Sequence, residues 1–95
     1  MFEDLDPLLH SQLRLAVMSI LIRSREAEFT AIQEETGSTA GNLSVQVNKL
    51  KEAGYIEVEK KFKGNYPQTL CRITTKGIDQ FNRYVESLRG YIDKK

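Results

Sequence analysis

One cysteine and one histidine are present among the 95 residues, and no apolar run is long enough to span a bilayer. A lone cysteine excludes a disulfide framework and fits a reducing cytosol, so a cytoplasmic location is expected. No signal-peptide pattern opens the sequence, and nothing in it points to secretion. His10 and Cys71 form no cluster at metal-ligand spacing, and the chain lacks a glycine-rich phosphate loop, paired carboxylates and a nucleophile motif. Those absences argue against an enzyme and leave no cofactor or metal to expect. Internal repeats, linkers and low-complexity tracts are missing too, so one domain over residues 1–95 is expected. A domain of this size buries only about 60% of its unfolded surface, which favours oligomerisation.

Charge is balanced in total and divided along the chain. The formal net charge is +1, yet residues 1–37 carry three basic and seven acidic side chains while residues 38–76 carry seven basic and three acidic. Positive charge therefore gathers where a polyanion's phosphates would lie if the second segment formed a binding surface. An ordinary solvated surface explains the same surplus equally well.

The hydrophobic pattern predicts four helices and a hairpin. Helix 1 spans 11–24 with Ser11 as cap, and its apolar residues fall on two faces, with Leu15, Met18 and Ile22 on the second. In so small a domain that second side is expected to meet another chain. Ala27, Glu28 and Phe29 suggest a short edge strand. Helix 2 spans 30–36, opened by Thr30 and Gln33 as a capping box and stopped by Gly37. Helix 3 spans 39–53, capped by Ser38 or Thr39, with Leu43, Val47 and Leu50 as a single buried stripe and Gly54 at the left-handed end position.

A hairpin over 55–74 follows, with Ile56, Val58 and Phe62 facing inward in one strand and Cys71 and Ile73 in the other, joined by a polar loop from Lys63 to Gln68. Cys71 then reads as a buried structural thiol, with a redox-sensing thiol as the alternative. The last helix spans 75–92, capped by Thr74 or Thr75. Its residues Ile78, Phe81, Val85, Leu88 and Ile92 are spaced three, four, three, four. That spacing suits a coiled-coil-like seam or an amphipathic helix lying on its own domain. Combined with the two-sided helix 1, it favours a dimer interface formed by Leu15, Met18, Ile22 and the five seam residues.

Two short helices, a tight turn and a hairpin are the order of a winged helix-turn-helix, an α+β fold with a three-helix core, a β-hairpin wing and here an additional C-terminal dimerisation helix. In that arrangement helix 3 reads the DNA major groove. Opposite its buried stripe lie Gly41, Asn42, Val45, Gln46 and Lys49. The amides suit adenine, an exposed valine suits a thymine methyl, and lysine suits phosphate or guanine. Ser38 and Thr39 sit where hydroxyls and free N–H groups receive a phosphate oxygen. In the wing, Lys61 and Lys63 are placed for phosphates and Tyr66 for a sugar or the minor groove, with Asn65 and Gln68 beside the tip. Each position also has a plainer reading, as a solvated polar face, a helix cap or solubilising hairpin lysines.

The runs Leu5-Asp6-Pro7-Leu8-Leu9-His10-Ser11, Leu13-Arg14-Leu15-Ala16, Gly41-Asn42-Leu43-Ser44, Leu50-Lys51-Glu52-Ala53-Gly54-Tyr55-Ile56 and Thr74-Thr75-Lys76-Gly77 resemble the small single-domain winged-helix regulators related to the MarR group. The resemblance implies a homodimer, joined mainly by its first and last helices, that binds duplex DNA through helix 3 and the wing. Two half-sites about 34 Å apart would then be addressed. Asn65, Tyr66 and Gln68 stand where relatives usually carry wing arginines, and Val45 where a basic residue is frequent. The competing expectation is a winged helix used for protein–protein interaction or oligomerisation, since the fold does not fix the ligand. No motif assigns a small-molecule effector.

Overall fold

The computed structural model describes residues 2–93. In chain order it contains α1 (Gln12–Ser24), β1 (Glu26–Glu28), α2 (Phe29–Thr36), α3 (Ala40–Glu52), β2 (Ile56–Lys63), β3 (Tyr66–Ile73) and α4 (Thr75–Ile92). The strands form one antiparallel sheet in the order β1-β3-β2, with Ala27 opposite Cys71 and Val58 opposite Cys71 on the other side. This is the winged-helix fold expected from the sequence, including the short edge strand.

α1 is the central helix, in contact with α2, α3, β1, β3 and α4. Both of its apolar sides are therefore used inside one chain, against the expectation that the second would meet a partner. Met18, assigned above to a dimer interface, is fully buried together with Val17 and Leu21 and presents nothing to a second molecule. Leu15 and Ile22 remain half-buried against the same core.

Helix ends follow local chemistry with two exceptions, at the starts of α1 and α2: Ser11 stands at the N-cap position of α1, as expected, but its side chain makes no capping bond. Thr39 caps α3 by accepting from the Asn42 N–H at 3.1 Å, and Thr74 caps α4 by accepting from the Gly77 N–H at 3.0 Å. α3 closes with Gly54 at φ 81°, where the Tyr55 N–H donates to Leu50 O and the Gly54 N–H to Lys51 O, the paired bonds of a Schellman end. Thr30 and Gln33 do not form a capping box, because α2 begins at Phe29 directly from β1, with Glu28 at the cap position making no side-chain capping bond. Arg25 takes φ 73°, a left-handed conformation rare outside glycine. The turn aims its carbonyl at the Ile73 N–H, 2.9 Å away.

The hairpin is tighter than its sequence suggests. β2 and β3 pair as far as Lys63 and Tyr66, leaving Gly64 and Asn65 as the turn. Gly64, at φ 65°, fills the first central position, the slot a two-residue II′ turn gives to glycine. Phe62 keeps the inward parity of Ile56 and Val58 yet is 74% exposed, because the strands outrun the body of the domain and nothing lies beneath it.

Residues 2–10 strap α4 to the core. Leu9 is fully buried. Asp6 accepts from the Leu8 N–H at 2.9 Å and from the Tyr55 hydroxyl at 2.6 Å. His10 Nδ1 meets the Tyr84 hydroxyl at 3.0 Å, and Ser87 donates to Glu3 at 2.9 Å. Farther along, Tyr91 donates to Glu3 O at 2.5 Å and stacks on Phe2.

Two weak acids link this packing to pH. Burial, then the hydrogen bond to Asp6 and its charge, push the Tyr55 pKa from 10.0 up to about 12. Burial alone pushes the Cys71 thiol from 9.0 up to about 11, consistent with the structural role. The folded state holds both protons more tightly than the unfolded chain. Their contribution is whole below pH 9 and is lost as pH rises through the folded values, about 11 for Cys71 and 12 for Tyr55. The urea midpoint is expected to fall over that alkaline range. Tyr55→Phe should blunt the fall while lowering stability at neutral pH by about 1–2 kcal/mol, as Asp6 loses its partner. Urea titrations at pH 7 and pH 11 measure both.

Candidate nucleic-acid interface

α3 divides cleanly into two sides. Leu43 and Leu50 are fully buried and Val47 nearly so, anchoring the helix on α1 and the sheet. Outward stand Gly41, Asn42, Val45 and Lys49, all exposed, with Val45 at 52%. No atom lies within 4 Å of where a Gly41 side chain would begin, so the fold itself does not require glycine there. Gln46 differs from its neighbours. It is half-buried, its carbonyl oxygen accepts from the Arg14 guanidinium, and its amide donates to Asn42 Oδ1 at 3.1 Å.

At the start of α3 the two candidate hydroxyls also separate. Thr36 donates to Ile32 O at 2.8 Å, so the 2.8 Å contact between Ser38 and Thr36 uses the Ser38 proton. Thr39 accepts a backbone bond and keeps its own proton free for an anion.

The pleat sorts the wing residues onto two faces. Lys60 and Phe62 share the parity of Val58, and a groove between the sheet and α3 is lined by Ser44, Asn48, Lys51, Val58, Lys60 and Thr69. Lys60, Lys51, Ser44 and Asn48 were not among the candidates, because their convergence depends on how the hairpin docks beside the helix. Lys61 and Lys63 have the opposite parity, that of Glu57 and Glu59, and pair with Gln68 and Tyr66. Lys61, Lys63, Asn65 and Tyr66 are all exposed, Tyr66 at 78%. The Gln68 amide is instead tied to the Glu28 carboxylate of β1.

Electrostatics sharpen this division. On the far face Arg72 is surrounded by Glu26 at 2.9 Å, Glu59 at 3.3 Å and Glu57 at 3.8 Å, and its pKa is raised chiefly by the Glu26 and Glu59 hydrogen bonds. One of the seven basic residues in 38–76 is thereby neutralised locally, and the far face is acidic around Arg72, with Lys61 and Lys63 farther out along the wing on the same side. The remaining cations flank α3 and the wing. Among the described residues no helix is long and apolar enough to cross a membrane, and no group of three or more potential ligands gathers for a metal.

A capped helix with an exposed polar face, beside a groove of lysines and a projecting hairpin, defines a winged-helix nucleic-acid-binding protein. Residues 13–92 match the family described as winged helix DNA-binding domain, and the chain belongs to that family. Its members are DNA-binding domains of transcriptional regulators, not enzymes. The chain is 30% identical over 76 residues to an uncharacterized protein of Methanocaldococcus jannaschii, covering 80% of this sequence and 83% of that one. Its fold matches the solved structure of a transcriptional regulator homologue from Pyrococcus horikoshii OT3, with a TM-score of 0.85, 31% identity and coverage of 90% and 85%. The transcriptional regulator BldR from Sulfolobus solfataricus shares the fold at a TM-score of 0.73 and 18% identity, over 86% of this chain and 58% of that one. The resemblance to small winged-helix regulators holds.

Proposed function

We propose that this protein is a homodimeric, sequence-specific regulator of transcription that acts in the cytoplasm as one domain over 1–95 and binds duplex DNA. α3 enters the major groove, and the wing lies on the backbone or in the minor groove. The carrying observation is the α3 face: Gly41, Asn42, Val45 and Lys49 stand exposed while the other side of the helix is anchored in the core. Thr39 and the free N–H groups at the start of α3 suit one phosphate, and Lys51 and Lys60 suit the strand passing between helix and wing. Dimerisation rests on Leu15, Ile22, Ile78, Phe81 and Leu88, half-buried against the core, together with Val85 and the exposed Ile92.

Selection of random duplexes on the purified protein, with the mass of the complex read by light scattering, tests this reading. Enrichment of an inverted repeat held by two chains is expected. Lys49→Ala should weaken binding across all sequences and flatten the slope of log affinity against log salt by about two, one for each chain of the bound dimer. An unchanged slope would take Lys49 off the DNA. The exposed Phe62 and Tyr66 favour a second reading, a protein-binding wing. Salt-tolerant capture of a protein partner, with no duplex enriched, would select it.

A further inference from the structure

We infer that Arg14, on α1, is a positioning residue for base recognition, and that through Gln46 it fixes Asn42 as a hydrogen-bond donor toward DNA. The inference rests on the DNA-binding reading and adds what one position of the site would be. A guanidinium has donors and no acceptor, so the Gln46 group facing Arg14 must be its carbonyl oxygen. Gln46 then has only its amide nitrogen for Asn42, and the Asn42 group receiving it at 3.1 Å must be Oδ1. Orientation is set at each step by chemistry, not by a choice between two equivalent rotations. What Asn42 turns outward is its NH2, whose hydrogens have no partner among the described residues.

Arg14 is itself held. Its Nε donates to Leu8 O at 2.6 Å, and Leu8 is fixed by the 2.9 Å bond from its N–H to Asp6. The Asp6-Pro7-Leu8 segment is thus linked to the reading helix through the Arg14 side chain. The same residues, Arg14, Asn42 and Gln46, line one shallow groove with Ser11 and Ser38, which leaves the relay open to an approaching duplex.

A free asparagine pairs with adenine by offering one acceptor and one donor. With Oδ1 engaged, Asn42 instead favours a base edge made of acceptors. In the major groove that is guanine, with O6 and N7, ahead of thymine with O4 alone. Gln46 is then not a base reader, and its value lies in the direction it imposes on Asn42.

The experiment compares duplex selections on the wild type, Gln46→Glu and Arg14→Met, with thermal melting of each. The carboxylate of Gln46→Glu still accepts from Arg14 but has no proton for Oδ1. Asn42 must turn over, donate to it and offer Oδ1 outward, which suits the N4 amine of cytosine. The expected result is a wild-type site with guanine at one position of each half-site, replaced by cytosine in Gln46→Glu by roughly ten-fold. Arg14→Met should flatten preference at that position alone. A merely structural role would shift the melting midpoint and leave base preferences intact. If the wild type enriches a site and both variants enrich the same one, the relay is overturned while the DNA-binding reading stands. If the wild type enriches no sequence, that reading falls and takes the relay with it.

Discussion

Replacing Gly77 with alanine is expected to lower the melting midpoint by roughly 15 °C, corresponding to about 2–4 kcal/mol for a domain of this size. Gly77 is buried in the first turn of α4, where the helix leaves the sheet. A Cβ there would overlap the Tyr55 carbonyl oxygen, well inside van der Waals contact, and lie 3.0 Å from Ile73 Cγ1. Neither neighbour has room to yield. The Tyr55 carbonyl accepts from the Thr74 N–H at 3.0 Å, and Thr74 Oγ1 donates to Gly54 O at 2.6 Å while receiving the Gly77 N–H. Backbone displacement would break this stitch between the end of α3, the sheet and α4. Gly90 supplies the control, since it lies in the same helix with nothing within 4 Å of a new Cβ. Gly90→Ala is expected to raise stability by up to about 1 kcal/mol through helix propensity. Differential scanning calorimetry on the two variants separates close packing from propensity, and equal effects would refute the packing argument.

What the sequence made legible was local. The stripe Leu43, Val47 and Leu50 and the stops at Gly37 and Gly54 are decided within a few residues and are found as expected, and of the paired cap candidates at the starts of α3 and α4 it is Thr39 and Thr74 that cap. The outward face of α3 follows from the same periodicity. Features that went unread depend on partners far apart in the chain. Arg14 lies 32 residues from Gln46, Asp6 49 from Tyr55 and Glu3 84 from Ser87. No periodicity reports such pairs, so the strap, the relay and the lysine groove emerge only in three dimensions. Phe62 shows the opposite failure. Alternation gave its side of the strand correctly, but burial also needs something to lie opposite, and the hairpin extends past α3.

α4 packs on its own chain through more than its apolar seam: Ile78, Phe81 and Leu88 touch the core, and the most deeply buried residues lie beside them. Gly77, Tyr84 and Ser87 are its buried residues, a row spaced seven and three that rests on the core and the N-terminal strap. The seam Ile78, Phe81, Val85 and Leu88 lies alongside this row and stays half-buried, with Ile92 at 67% exposure. α4 is thus held on the core and the strap through Gly77, Tyr84 and Ser87 and leaves its apolar seam half-buried, which the dimer reading takes as a second set of contacts. The strap serves the first set. Under the dimer reading the second set is a copy of the same helix, packed about a two-fold axis, since an isologous interface reuses one patch on both chains.

Val85→Glu is accordingly expected to convert the dimer to monomers at micromolar concentration. Val85 is the seam residue to change because, unlike Ile78, Phe81 and Leu88, it is not among those packed against the chain's own core. A carboxylate there meets its symmetry mate's environment before it disturbs the monomer. Helical content should persist while the mass seen by light scattering halves. Binding to an inverted repeat should weaken by about 100-fold or more, because the second half-site is no longer delivered at the effective concentration set by the first. The slope of log affinity against log salt should fall to roughly half, as each bound chain now releases counterions from one half-site only. A Val85→Glu protein that remains dimeric with full affinity would move the interface away from α4. Monomers that still bind the repeat with wild-type affinity would instead mean that each half-site is read independently, and that dimerisation contributes nothing to recognition.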